Sequence, residues 1–215
     1  LHRQKLTWDE TWLEYLKLRP AKLSVLVDVD QPLRGLRPAW AARWPQLANI
    51  PWFPAIGDGA AANIGSGCIG PERLALTMGT TGAIRVAVDG PIVRVPAGLW
   101  LYRANKKYAL LGGATSEGGN LYAWLRRTLK LPSAAAEIEQ QLARWAPASH
   151  GLTVRPFVAG ERAPGWHEEA RAVVAGLSLD TEPVDILRAG LESVAYRLAL
   201  IQHSIAPFFF DSYQI

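Results

Sequence analysis

A chain of 215 residues is long enough to bury a sizeable core, and 49% hydrophobic with 20% charged residues is the balance of an ordinary globular protein. No apolar run reaches the roughly 18 to 20 residues of a membrane span, which excludes a membrane partner. The net charge of +4 is scattered along the chain instead of clustered, which argues against nucleic acid. Cys68 is the only cysteine, so no internal disulfide can form, and a packed thiol in a cytoplasmic protein is the expectation. The four histidines show no ligand spacing with one another or with Cys68, and no metal site is assigned.

In chain order, Thr7-Trp8-Asp9-Glu10 has the form of a capping box and predicts a helix that turns Trp12, Leu13, Leu16 and Tyr15 inward and stops at Pro20. Residues 20–54 are rich in proline and tryptophan without a sustained period, and read as an irregular connection with a helical turn near 39–44. An alanine-rich helical segment follows Asp58. After residue 70 the period changes: 73–78, 83–88, 100–103 and 107–112 are short β-rich runs that predict an antiparallel meander. Helices are predicted over 118–130, 133–146 and 183–201, the last with a stripe of Leu187, Leu191, Val194, Leu198 and Ile201. Segments 153–158 and 171–176 are further strand candidates, giving an α/β or α+β layout. The chain opens on Leu1, its only methionine is Met78, and Pro207 with three phenylalanines breaks the final periodicity, so a piece of a longer protein is expected.

Three glycine-rich stretches bear on chemistry. GSGCIG (65–70) has the G-x-G-x-x-G spacing but follows a helical segment and precedes a strand, the reverse of the dinucleotide-binding context, so it is set aside. MGTTG (78–82) reads either as a tight turn whose backbone N–H groups and threonine hydroxyls converge on an anion, or as an ordinary hairpin turn. GGATSEGGN (112–120) ends a strand and opens a helix; it is either a site where the helix's first N–H groups meet a phosphate or a flexible loop with a glycine cap. Asp58, between Gly57 and Gly59, has two readings as well: a turn or N-cap residue, or a carboxylate exposed as a general base. A base followed along the chain by two phosphate cradles is the set that phosphoryl transfer to an alcohol needs.

The runs IGDGAAANIGSGCIGPERLALTMGTTGAIR, LLGGATSEGGNLYAWLRR and RPFVAGERAPGWHEEARAVVAGLS resemble, in order, the FGGY family of carbohydrate kinases, with gluconate kinases the nearest likeness. The resemblance implies an α/β fold of the ribonuclease-H-like, actin-like ATPase type, incomplete here, with residues 1–70 ending the N-terminal domain and 71–215 belonging to a truncated C-terminal domain. It implies Asp58 as catalytic base in contact with the sugar, Gly79, Thr80 and Thr81 on the phosphate turn, and Gly119 on the nucleotide loop. Ala123 stands where glycerol kinases carry a nucleotide-contacting glutamine, so that contact is not carried over. ATP and Mg²⁺ are the implied cofactors, and a sugar or sugar acid the partner: gluconate first, then xylulose or glycerol. Homo-oligomerisation of the full-length enzyme is left open.

Glu161 and Arg162 of the GERAP segment have either a family role or a bracing one as an ion pair. The alternative to a kinase is a non-catalytic piece of the same fold. Because the family's upstream phosphate and sugar contacts are not in this sequence, residues 1–215 alone are expected to be inactive. Exposed apolar surface, with Phe208, Phe209 and Phe210 adding to it, is expected to favour association.

Overall fold

A computed structural model describes residues 1–90 and 94–208. The first helix, α1 (Glu10–Tyr15), is capped by Asp9, whose carboxylate accepts the Trp12 N–H at 3.2 Å. The capping box expected at Thr7 does not form, because the Thr7 carbonyl is held by the His2 N–H at 2.6 Å one turn too early. Of the expected apolar face only Leu13 is buried. Trp12 and Tyr15 are exposed and pack edge to face. The proline-rich connection is irregular apart from α2 (Pro38–Arg43) and two single 3₁₀ turns. It is tied to the rest of the chain by Asp28, which is buried and ion-paired with Arg103.

Helix α3 (Asp58–Gly65) precedes a four-stranded antiparallel sheet of β1 (Leu74–Met78), β2 (Gly82–Asp89), β3 (Trp100–Arg103) and β4 (Tyr108–Ala114). The strand order is β1-β2-β4-β3, so the expected meander is wrong in one respect: β4 inserts between β2 and β3. The burial pattern gives the reason. Every position of β4 after Tyr108 is buried on both faces, which requires a central place, while all four residues of β3 are only half-buried and suit an edge. The GSGCIG stretch lies between α3 and β1, as the helix-then-strand reading expected.

Alternation along β1 and β2 gives the sheet two distinct faces. Leu74, Ile84, Val86 and Val88 pack with Ile201 and Ile205 of the long helix α6 (Pro183–Ile205). Phe208 is half-buried against this cluster, contrary to the expectation that it is exposed; Phe209 and Phe210 lie outside the described residues. On the opposite face Ala87 and Leu110 pack under Ala60 of α3, with Tyr102 and Tyr108 at the margin. A second core joins α4 (Gly119–Thr128), α5 (Ala135–Ala143) and the expected stripe of α6, through Leu121, Leu125, Ile138, Leu187, Val194 and Leu198. The candidate strands at 153–158 and 171–176 form a separate antiparallel pair, β5 (Thr153–Arg155) and β6 (Val173–Ala175). Among the described residues no helix is long and apolar enough to cross a membrane.

Candidate active site

The β1–β2 turn and the loop that opens α4 form a single unit. The Gly119 N–H donates to the Gly79 carbonyl at 2.7 Å, the Asn120 N–H to the Thr80 carbonyl at 3.1 Å, and the Gly82 N–H to the Glu117 carbonyl at 2.9 Å. Thr115 closes the junction: its hydroxyl donates to the Glu117 carbonyl at 2.5 Å, and its N–H donates to the Gly82 carbonyl at 2.8 Å. Gly118 is required here, since a Cβ would lie 2.9 Å from the Thr81 Cα. Gly79, Thr80, Thr81 and Gly119, far apart in sequence, are therefore neighbours.

This zipping corrects the anion-cradle expectation in detail. The Gly79 N–H bonds the Thr81 carbonyl, the Gly118 N–H bonds the Asn120 side chain, and the Gly119 N–H is occupied by Gly79. The first turn of α4 thus has its leading donors committed within the protein and is no open phosphate site. What is left for an anion is the N–H and hydroxyl groups of Thr80, which is exposed, and Thr81, which is half-buried. Among the described residues neither threonine has a side-chain hydrogen bond to protein.

Asp58 is the first residue of α3, and the N-cap is Gly57, so the capping reading of Asp58 does not hold. Its carboxylate is exposed, accepts the adjacent Gly59 N–H at 2.7 Å, and makes no ion pair among the described residues. A carboxylate at this position is also favoured by the helix dipole. Gly57 faces open space, whereas Gly59 packs tightly: a Cβ there would meet the Tyr102 hydroxyl at 2.6 Å and the Arg85 Nε at 3.0 Å. Burial raises the Tyr102 phenol above its ordinary pKa; the charge of Asp58 adds to the rise, and Arg85 opposes it. Arg85 in turn donates from Nη1 to the Thr77 hydroxyl at 3.1 Å, two residues before Gly79. No hydrogen bond joins Asp58 directly to the threonine turn among the described residues; Arg85 spans the interval.

Behind the threonine turn lies a buried charge cluster. Arg197 of α6 pairs with Glu161, both nearly inaccessible, and Arg162 is exposed with its guanidinium 5.9 Å from the Trp166 ring, so the bracing partner of Glu161 is Arg197 and not Arg162. Glu117 is buried beside them, with one carboxylate oxygen that has no hydrogen-bond partner among the described residues. Its pKa is pushed up to about 7 by burial, with Arg197 lowering it and Glu161 raising it.

Arg85, Tyr102, Glu117 and Arg197 were not singled out by sequence reasoning. For Arg85 a signal existed: one charge inside the apolar run Ala83-Ile84-Arg85-Val86. Two open clefts meet at Met78, one of about 720 Å³ under α3 along β1, the other of about 600 Å³ and largely apolar, lined by Gly118, Gly119, Tyr122 and Leu198. Among the described residues no three His, Cys, Asp or Glu side chains cluster as a metal site.

Comparison with known proteins gives a consistent picture. The family model of the C-terminal domain of FGGY carbohydrate kinases matches residues 74–206. A gluconokinase of Bacillus subtilis (strain 168) is 30% identical over 207 residues, covering 90% of this chain and 40% of that protein. The crystal structure of gluconate kinase from Lactobacillus acidophilus superposes with a TM-score of 0.83 at 26% identity, over 94% of this chain and 41% of the other. A ligand-bound xylulose kinase from the same organism superposes with a TM-score of 0.84 at 25% identity, over 98% and 42%. The sequence thus spans about 40% of the length of the curated relatives it matches.

Proposed function

This chain belongs to the FGGY family of carbohydrate kinases, and on that premise we propose that it serves ATP-dependent transfer of the γ-phosphate to a hydroxyl of a sugar or sugar acid. Gluconate is the preferred acceptor, ahead of xylulose and glycerol. The observation that carries the reading is Asp58: an exposed carboxylate at a helix start that forms no ion pair among the described residues, one arginine away from a turn whose threonine side chains make no hydrogen bond to protein among them. In this scheme Asp58 accepts the proton of the acceptor hydroxyl as that oxygen bonds to phosphorus. Thr80 and Thr81 donate to the phosphate oxygens as charge develops on them. Gly119, without a side chain, lets the nucleotide approach, and the apolar cleft next to it offers a dry wall. Mg²⁺, when bound, would neutralise phosphate charge in such a reaction; among the described residues no three His, Cys, Asp or Glu side chains cluster to hold it.

Residues 1–70 are read as the end of the sugar-binding N-terminal domain and 71–215 as C-terminal domain, so Asp58 stands at their junction. A cytoplasmic location is part of the same proposal, in keeping with a single buried free thiol. Steady-state kinetics of the kinase carrying this chain, wild type against Asp58→Asn, test the reading. Loss of turnover with ATP binding retained is the expected result; activity within a few-fold of wild type would return Asp58 to a structural role.

A further inference from the structure

Arg85 is the cation of this site whose charge the protein does not complete. It projects from β2 on the α3 face of the sheet, in a row set by strand register: Ala75 opposite it on β1, Gly112 opposite it on β4, and Trp100 beyond Gly112 on β3. Small residues on both sides leave the guanidinium room to rise toward α3, where the bare Cα of Gly59 admits it. The Trp100 ring lies 5.9 Å from the guanidinium carbon, and the Thr77 hydroxyl holds one Nη. Among the described residues no carboxylate forms an ion pair with it. By contrast, Arg103, Arg188 and Arg197, the arginines that are nearly buried, each have an Asp or Glu partner.

A half-buried arginine braced by an aromatic ring and by the Thr77 and Tyr102 hydroxyls, with no carboxylate paired to it among the described residues, is the arrangement that receives a planar anion, because the guanidinium fork matches a carboxylate. Tyr102 adds a second donor at the same place: its hydroxyl sits against Gly59, and burial keeps the phenol protonated. We propose that Arg85 and the Tyr102 hydroxyl bind the carboxylate of the acceptor, so that the preferred substrate class is a sugar acid rather than a neutral polyol or ketose. This rests on the kinase reading above and assigns its specificity.

The test compares D-gluconate with D-glucitol, which differ in the carboxylate, in the kinase carrying this chain. Wild type is expected to show the lower KM for gluconate. Arg85→Gln is expected to raise the ratio of gluconate KM to glucitol KM by about 10- to 100-fold, the worth of a charge-assisted hydrogen bond. Arg85→Lys, which keeps the charge but loses the fork, should recover part of it. Thermal stabilisation by gluconate without ATP should follow the same order, a readout independent of turnover. An unchanged ratio in Arg85→Gln overturns the inference, as does an equal fall in kcat for both acceptors, which would place Arg85 on the phosphoryl group. If Arg85→Gln does not melt cooperatively, Arg85→Lys carries the same ratio test. A wild type that phosphorylates glucitol or xylulose in preference to gluconate overturns this inference and leaves the kinase reading standing; full turnover by Asp58→Asn removes the base assignment instead.

Discussion

Arg85 and Arg197 stand on opposite faces of one sheet and have opposite electrostatic circumstances. Arg197 is held by Glu161, lies near buried Glu117, and donates to the Ala163 carbonyl at 3.2 Å. Arg85 has the Thr77 and Tyr102 hydroxyls, the Trp100 ring and, among the described residues, no ion-paired acid. A buried charge must be compensated where it lies, so Arg197 is fixed by the fold and its neighbours are structural. A half-exposed charge can wait for an external partner. The same contrast separates Glu161, paired inside, from Asp58, unpaired at the surface. Where the chain completes its own electrostatics it is building a scaffold, and where it leaves them incomplete it is presenting a site.

The largest expected effect is at Asp58. Asp58→Asn should lower turnover about 10² to 10⁴-fold, the usual worth of a general base, with a melting temperature near that of wild type because the amide oxygen can still accept the Gly59 N–H. Stopped or coupled kinetics beside a melting curve measure both. Next is Arg197→Met, which leaves Glu161 buried without its partner and should cost about 3–5 kcal/mol of stability, read from denaturant unfolding of the 215-residue chain.

A pH effect of intermediate size is expected at Glu117. Its pKa rises from 4.5 to about 7 on folding, so between those values the folded state binds more protons than the unfolded one. Stability is therefore fully present below about pH 4.5 and is lost as pH rises through about 7, by on the order of 1–3 kcal/mol. Glu117→Gln should flatten this limb of a melting-temperature profile; a profile with the same slope in both proteins would show that Glu117 ionises freely. The smallest effect is the counterpart of Arg197→Met: Arg85→Met should cost about 1–2 kcal/mol, since hydrogen bonds to the Thr77 and Tyr102 hydroxyls but no ion pair are lost. A cost like that of Arg197→Met would erase the distinction between the two arginines.

Much of the architecture was legible because it is local. Helix α6 shows its stripe over several turns, and the short β-rich runs at 73–78, 83–88 and 100–103 became strands within a residue or so of their expected ends. The mismatches came where a distant partner decided. Thr7 carried the capping pattern, yet a bridge to His2 took its carbonyl and moved the cap to Asp9. Nothing within β3 or β4 states which is central; that follows from burial on both faces of β4, a property of what packs against it.

The sequence by itself determined the order of the motifs, the family resemblance, and that Asp58 and the glycine-rich turns are the residues to examine, since these depend on residue type and spacing along the chain. Only the tertiary structure decided that the α4 N-terminus is already occupied by the carbonyls of the β1–β2 turn, that Glu161 pairs with Arg197 of α6, and that Arg85 lies between Asp58 and the threonine turn. The first two depend on groups 36 to 40 residues apart in sequence meeting at hydrogen-bonding distance, and the third on α3 packing at Gly59 over the β2 strand; contacts of that kind are set by strand register and helix packing, not by any local pattern.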